Sequence, residues 1–199
     1  MDYSVVFRDF VDGDIHKVYE YKNDVERNSM IVGAFRPMTI DDARKWVEGC
    51  KRKDVDFRFW AVADKEHPDN LIGWISLSQI DKENNSACLH SIFIGNRTYS
   101  NGILWIEMYL FILNYAFNEL HLHRLWGTKR ADHLQSMAMS AAMFFHQDGI
   151  LRESKRIGDS YIDTSLGAIL ESEYFEHLQN GDYELSKIIR RVTQYRKMK

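Results

Sequence analysis

The sequence predicts a mixed α+β domain built on a single, mostly antiparallel sheet flanked by helices. Three observations carry that reading. Three apolar segments rich in β-branched and aromatic residues, "FRFWAVA" (57–63), "LIGWISLSQI" (71–80) and "ACLHSIFI" (87–94), follow one another across the polar turns "DKEHPDN" and "DKENNS", the pattern of an antiparallel meander. The segment from Ile103 to Leu120 has helical character but is apolar nearly all round, so it must be buried against a sheet. The second half then alternates strand, helix and a closing hairpin.

In chain order, "SVVFRDF" reads as a first strand. "DGDIHKVYEYKNDVER" follows, with Ile15, Val18, Tyr19 and Lys22 at helical spacing behind the acidic cap candidates Asp12 and Asp14. After Pro37, Thr39 with Asp42 three residues on forms a near-capping box that opens a helix containing Ala43, Trp46 and Val47. The three strands and the apolar helix come next. "HRLWGTK" reads as a further strand, and "LQSMAMSAAMFF" has the Ala/Met composition of a well-packed helix. "GILRESKRI" and "SYIDTSLGAIL" form a hairpin around "GD". The tail "NGDYELSKIIRRVTQYRKMK" gives one more helix, apolar at Leu185, Ile188, Ile189, Val192 and Tyr195 and basic on its other face. These divisions predict a main domain over 1–175 and a basic amphipathic helical extension over 176–199.

Composition narrows the function classes. The 199 residues are 45% apolar and 13% aromatic, enough for a packed core. Twenty-six Lys plus Arg against 29 Asp plus Glu gives a net charge of -3, which offers no electrostatic case for a nucleic-acid partner. The two cysteines, Cys50 and Cys88, have no CxxC spacing and suit a reducing, cytoplasmic compartment. No apolar run approaches the roughly 20 residues that span a bilayer, so no membrane partner is expected. His121 and His123 lack a carboxylate or Cys at ligand spacing, so no metal site is expected. The methionines 137, 139 and 143 read as core filling.

The stretch "NYAFNELHLHRLWGTKRADHLQSMAMSAAMFFHQDGILRE", with "GDSYIDTSLGAILESEY" after it, resembles the GNAT acyltransferase superfamily, within it the RimJ/RimL-like and spermidine-acetyltransferase-like branch. The pattern is a helix ending "YAF-EL-LHR", a strand, Asn-x-x-Ser, "GF-xx-EG-x-LRE", then "G-x-Y-x-D" and "LL-x-E-Y". No gap is needed from Tyr115 to Glu153. His133 falls where the branch has Asn, Ser136 falls on its Ser, and Phe144 takes its Gly. The superfamily's phosphate loop, Gln/Arg-x-x-Gly-x-Gly/Ala, corresponds to Tyr99–Leu104 when aligned from the strand. Tyr99 then stands for Gln/Arg, Gly102 is kept, and Leu104 replaces the last small residue. Aligned from the helix, where Glu107 falls on the branch's Glu, the register moves by one.

The resemblance implies an acetyl-CoA-dependent N-acetyltransferase acting on a primary amine, small molecule or peptide: a small amine, an amino sugar or a protein N-terminus. Tyr99, Ser100, Asn101, Gly102 and Ile103 would receive the pyrophosphate at a helix entrance, where unpaired N–H groups and the dipole favour an anion. The strand edge at Ile92 and Ile94 would pair with the pantetheine arm, and His133 would touch that arm or cap its helix. Ser136 would donate to the departing sulfur, or merely cap the same helix. His90 is the candidate base for the amine, set against an ordinary half-buried histidine. Tyr161 and Asp163 would face the acceptor or hold the hairpin. Other readings are an acyltransferase acting on a hydroxyl or a sugar nucleotide, and a non-catalytic domain of the same fold. The basic tail helix would suit CoA phosphates, an acidic partner or a second subunit in a homodimer, with a solvated helix packed on the body as the default.

Overall fold

The chain opens with β1 (Val5–Arg8), whose Arg8 guanidinium grips the buried Asp14 carboxylate at 2.7 and 2.8 Å. Asp14 also accepts from the Val11 amide, which fixes a single 3₁₀ turn before α1 (Ile15–Asn23). In this computed structural model, residues 2–32, 35–53, 56–99 and 102–198 are described. A one-turn helix α2 (Val25–Asn28) follows, capped by the Asp24 side chain on the Arg27 amide. Then comes α3 (Ile40–Lys51), opened by the expected Thr39–Asp42 capping box. The strands β2 (Phe57–Asp64), β3 (Leu71–Asp81) and β4 (Ser86–Ile94) match the three predicted segments within a residue. After α4 (Ile103–Asn114) come β5 (Arg124–Arg130), α5 (Leu134–Ala142), β6 (His146–Ile157), β7 (Ser160–Leu170), α6 (Glu171–Gln179) and α7 (Leu185–Met198). The hydrogen-bonded order of the sheet is β1-β2-β3-β4-β5-β7-β6.

Pairing is antiparallel between β1 and β2, β2 and β3, β5 and β7, and β6 and β7. It is parallel between β4 and β5, where the register joins Ser86–Cys88 to Arg124–Trp126. The strands run on to Ile94 and Arg130 respectively. The sheet is thus mixed and mostly antiparallel, as the sequence predicts.

Two compact units divide the chain. The first comprises Met1–Ser29, Phe35–Ile80 and His90–Met108. Its core gathers Phe10, Ile15, Val18 and Tyr21 with Ala43, Val47 and Cys50 from α3 and Ala61, Leu71, Trp74 and Phe93 from the strands. Trp74 stacks on Phe93 at 4.3 Å. The second comprises Met30–Ala34, Asp81–Leu89 and Tyr109–Lys199. There Ile112, Leu113, Phe117, Leu125, Met143 and Tyr174 are all but inaccessible, and α7 packs on α5.

Four local expectations are corrected. The helix predicted to run to Leu120 is α-helical only to Asn114 and finishes as one wider π turn over Tyr115–Glu119. The Ala/Met helix stops at Ala142 instead of running through Phe145, because Phe144 takes a left-handed backbone at φ 64°. β6 starts at His146, before the expected Gly149. A helix, α6, fills a stretch for which none was expected. Leu170 offers no capping side chain, and only Glu173, reaching back to the Leu170 amide at 2.8 Å, marks its start.

Candidate active site

In the first unit, the candidate phosphate loop leads into α4. Ser100 and Asn101 lie outside the described residues. Gly102 adopts φ +84°, and a Cβ built on it would meet nothing within 4 Å. Its carbonyl accepts from the Ile106 amide at 3.4 Å, closing the first turn of the helix. No acidic side chain occupies that first turn. Gly102 is thus an open, left-handed glycine at the mouth of an apolar twelve-residue helix.

The approach to this turn is held from several sides. The amides of Gly95 and Asn96 both donate to the Ile72 carbonyl, at 2.9 and 3.0 Å. Arg97 bridges Asp24 and Glu26 at 3.1 and 2.7 Å. Tyr99 donates its hydroxyl to Asp64, which also accepts the Glu66 and His67 amides. The Tyr99 hydroxyl is the chief reason that Asp64 stays below the usual carboxylate range. Tyr99 thus anchors the loop to the end of β2.

Along β4, Ile92 is half-buried and Ile94 buried. His90 stands at the exposed side of the strand, its ring edge-on to Phe57 at 6.1 Å. Loss of solvent around that ring, and secondarily the charge of Lys22, lower the His90 pKa. The imidazole is therefore neutral and able to accept a proton near pH 7. Lys22 itself lies over the rings of Trp46 and Trp74, at 4.8 and 5.0 Å from their centroids. A pocket of about 250 Å³ shares Trp46 with this contact and is otherwise lined by Gly49, Cys50, Arg52, Phe57 and Phe59. Motif reasoning missed this pocket. Its one sequence signal is Lys22, a charged residue at apolar spacing on α1.

In the second unit, His133 is the N-cap of α5. Its Nδ1 accepts from the Ser136 amide at 3.2 Å, so the ring must be neutral with its proton on Nε2. Burial is the main cause that lowers its pKa. The cap uses the Ser136 backbone and leaves the Ser136 hydroxyl uncommitted to it. Asp163 accepts from the Glu153 amide at 2.7 Å, where β6 bulges against β7 and Glu153 takes φ 49°. Asp163 therefore braces the hairpin, while Tyr161 on the same strand is 58% exposed. A further group had no motif to announce it. Lys129 on β5 donates to Ser140 Oγ at 2.7 Å. Burial pushes its ammonium down to about 8. Ser140 also hydrogen-bonds the buried Tyr109 hydroxyl.

Phe144, at the position where the resembling branch has glycine, stacks on His177 at 3.4 Å, and the Arg191 guanidinium lies 4.3 Å from its centroid. Arg191 donates in addition to the Ala142 carbonyl at the end of α5.

Among the described residues no cluster of His, Cys, Asp and Glu could hold a metal ion, and no helix is long and apolar enough to cross a membrane. Comparison with known proteins matches residues 4–144 to the acetyltransferase (GNAT) domain. The probable N-acetyltransferase YjcK of Bacillus subtilis is 28% identical over 138 residues, covering 64% of this chain and 74% of that protein. The N-acetyltransferase YnaD of the same organism, itself uncharacterized, is 28% identical over 174 residues, 85% of this chain and 95% of that one. Among solved structures, spermidine N-acetyltransferase from Vibrio cholerae in complex with CoA and spermine superposes with a TM-score of 0.74 at 20% identity, covering 87% of this chain and 99% of that one. A GNAT-family acetyltransferase from Bacillus anthracis gives 0.73 at 22% identity, with 87% and 98% covered.

Proposed function

Because the chain belongs to the GNAT acetyltransferase family, we propose that it transfers an acetyl group from acetyl-CoA directly to a primary amine. The observation that carries this reading is the open left-handed Gly102 at the entrance of α4, which suits the pyrophosphate. Bound acetyl-CoA supplies an activated thioester, whose carbonyl carbon bonds to the amine nitrogen as the carbon–sulfur bond breaks. The amides of the α4 entrance neutralise phosphate charge. The β4 main chain around Ile92 and Ile94 hydrogen-bonds the extended pantetheine arm and offers an N–H to the developing oxyanion, which is usually the largest single contribution. His90, neutral near pH 7, accepts the proton that the amine loses on attack. Ser136 donates to the leaving sulfur. A thiol pKa of about 8.5 makes that help modest.

The acceptor is a small-molecule amine. The Vibrio neighbour is a spermidine acetyltransferase, which supports an amine nucleophile. A cytoplasmic setting fits the two buried thiols, Cys50 and Cys88.

The test has two arms. Calorimetric titration with acetyl-CoA should show saturable binding, and Gly102→Val should weaken it about tenfold or more, because a β-branched residue resists positive φ and fills the open space. An amine panel should release free thiol with stoichiometric N-acetylation. Absence of acetyl-CoA binding to the folded parent would end this reading, and unchanged affinity in the Gly102 variant would remove the loop from it.

A further inference from the structure

The pocket beside α3 has a composition that speaks to the acceptor. Trp46 meets Phe59 edge-on at 5.6 Å, and Phe59 stacks nearly parallel to Phe57 at 6.4 Å. Phe57 is 43% exposed. Gly49 in the lining leaves open space, since a Cβ built on it would meet nothing within 4 Å. Cys50, also in the lining, is neutral because burial raises its thiol pKa. His90, the proposed base, is edge-on to Phe57 at the rim.

Charge decides which amines belong here. Aromatic faces attract cations, but the faces of Trp46 and Trp74 already carry the Lys22 ammonium. A second cation entering beside Trp46 would meet that resident charge. Among the described residues the lining contributes a guanidinium, Arg52, and no carboxylate. At about 250 Å³ the pocket lies just below the roughly 300–1,000 Å³ of sites for drug-sized ligands. It is therefore sized for about one ring.

We propose that this pocket seats the non-reacting part of the acceptor, that this part is a single aromatic ring, and that Lys22 selects against polycationic amines. The inference rests on the acetyl-transfer reading above. It makes Trp46, Phe57 and Phe59 binding residues and Lys22 a specificity residue.

The experiment compares 2-phenylethylamine with spermidine as acceptors at saturating acetyl-CoA, in the parent, Phe57→Ala and Lys22→Gln. In the parent, kcat/KM for 2-phenylethylamine should exceed that for spermidine by about tenfold or more, the size of one well-placed aromatic contact together with one repelled charge. Phe57→Ala should shrink the ratio through a higher KM for the aromatic amine. Lys22→Gln should shrink it by improving spermidine. Calorimetry with 2-phenylethylamine alone reads the pocket without turnover, and its binding should weaken in Phe57→Ala. Spermidine as the better substrate, or equal ratios in all three proteins, would overturn the assignment while thiol release upheld acetyl transfer. A parent that binds neither acetyl-CoA nor the aromatic amine would overturn both.

Discussion

Single residues give the sharpest tests. Ser136 contributes its amide to the helix cap and its hydroxyl to the proposed chemistry, so the two roles can be separated. Ser136→Ala should leave thermal stability and acetyl-CoA affinity unchanged while lowering kcat, by at most about 10²-fold. Equal kcat in mutant and parent would remove the hydroxyl from the mechanism. His133 presents an acceptor to the Ser136 amide, as an Asn side chain would in that cap position. Histidine does so only when neutral. Its folded pKa is lowered by burial, so the unfolded chain binds more protons at mildly acid pH. The cap's stability is complete above about pH 6.5 and is lost as pH falls through the lower folded value. His133→Asn should keep the cap at pH 7.5 and gain roughly 0.5–2 kcal/mol over the parent at pH 5, read from urea denaturation. An identical acid sensitivity in both proteins would mean that the ring does not cap in solution.

At the scale of elements, the junction of α5 and β6 rests on the partnership of Phe144 with the tail. A bulky residue at φ 64° is strained by about 1–2 kcal/mol. Against this stand a ring stacked on His177 and a guanidinium over its face, together worth more than the strain. Phe144→Gly relieves the backbone and loses the stack, so it should destabilise by about 1–2 kcal/mol, whereas Phe144→Ala keeps the strain and should cost about 3. Denaturant midpoints for the pair isolate the backbone contribution; equal values would show that the turn is unstrained. The same junction explains a failure of sequence reading. Ala/Met composition predicts a helix through Phe145, and nothing local warns that α7, about 45 residues further on, secures a left-handed turn there. Elements set by local chemistry were legible: the Thr39–Asp42 box opens α3, and the "GD" turn joins β6 to β7. The start of α6 was not, because Leu170 carries no cap and Glu173 alone does the work.

For the molecule as a whole, the sheet was legible because strand periodicity and burial are written into successive residues. The aromatic pocket was not, because α3, the segment just after it and β2 supply it from stretches with no common motif, and only Lys22 on an apolar helix face hinted at it. Lys129 was equally silent, since burial, not residue type, gives it its character. Its consequence is global. With a folded pKa of about 8 against roughly 10.4 unfolded, the native chain sheds this proton first, so the contribution of Lys129 to stability rises with pH between about 8 and 10. Cys50 acts in the opposite sense, because its thiol is held protonated in the fold. The difference between parent and Lys129→Met therefore isolates the lysine. The variant's advantage at pH 7.5 should shrink by about 1 kcal/mol by pH 9.5, and a pH-independent difference would contradict the buried-ammonium assignment. The clasp of Arg191 on Phe144 also bears on descent. A lineage that gained the ring before the tail would have carried the burden without the benefit, and one that dropped the tail afterwards would strand the ring. Position 144 and the C-terminal segment are thus expected to change together among related chains, each making the other hard to reverse.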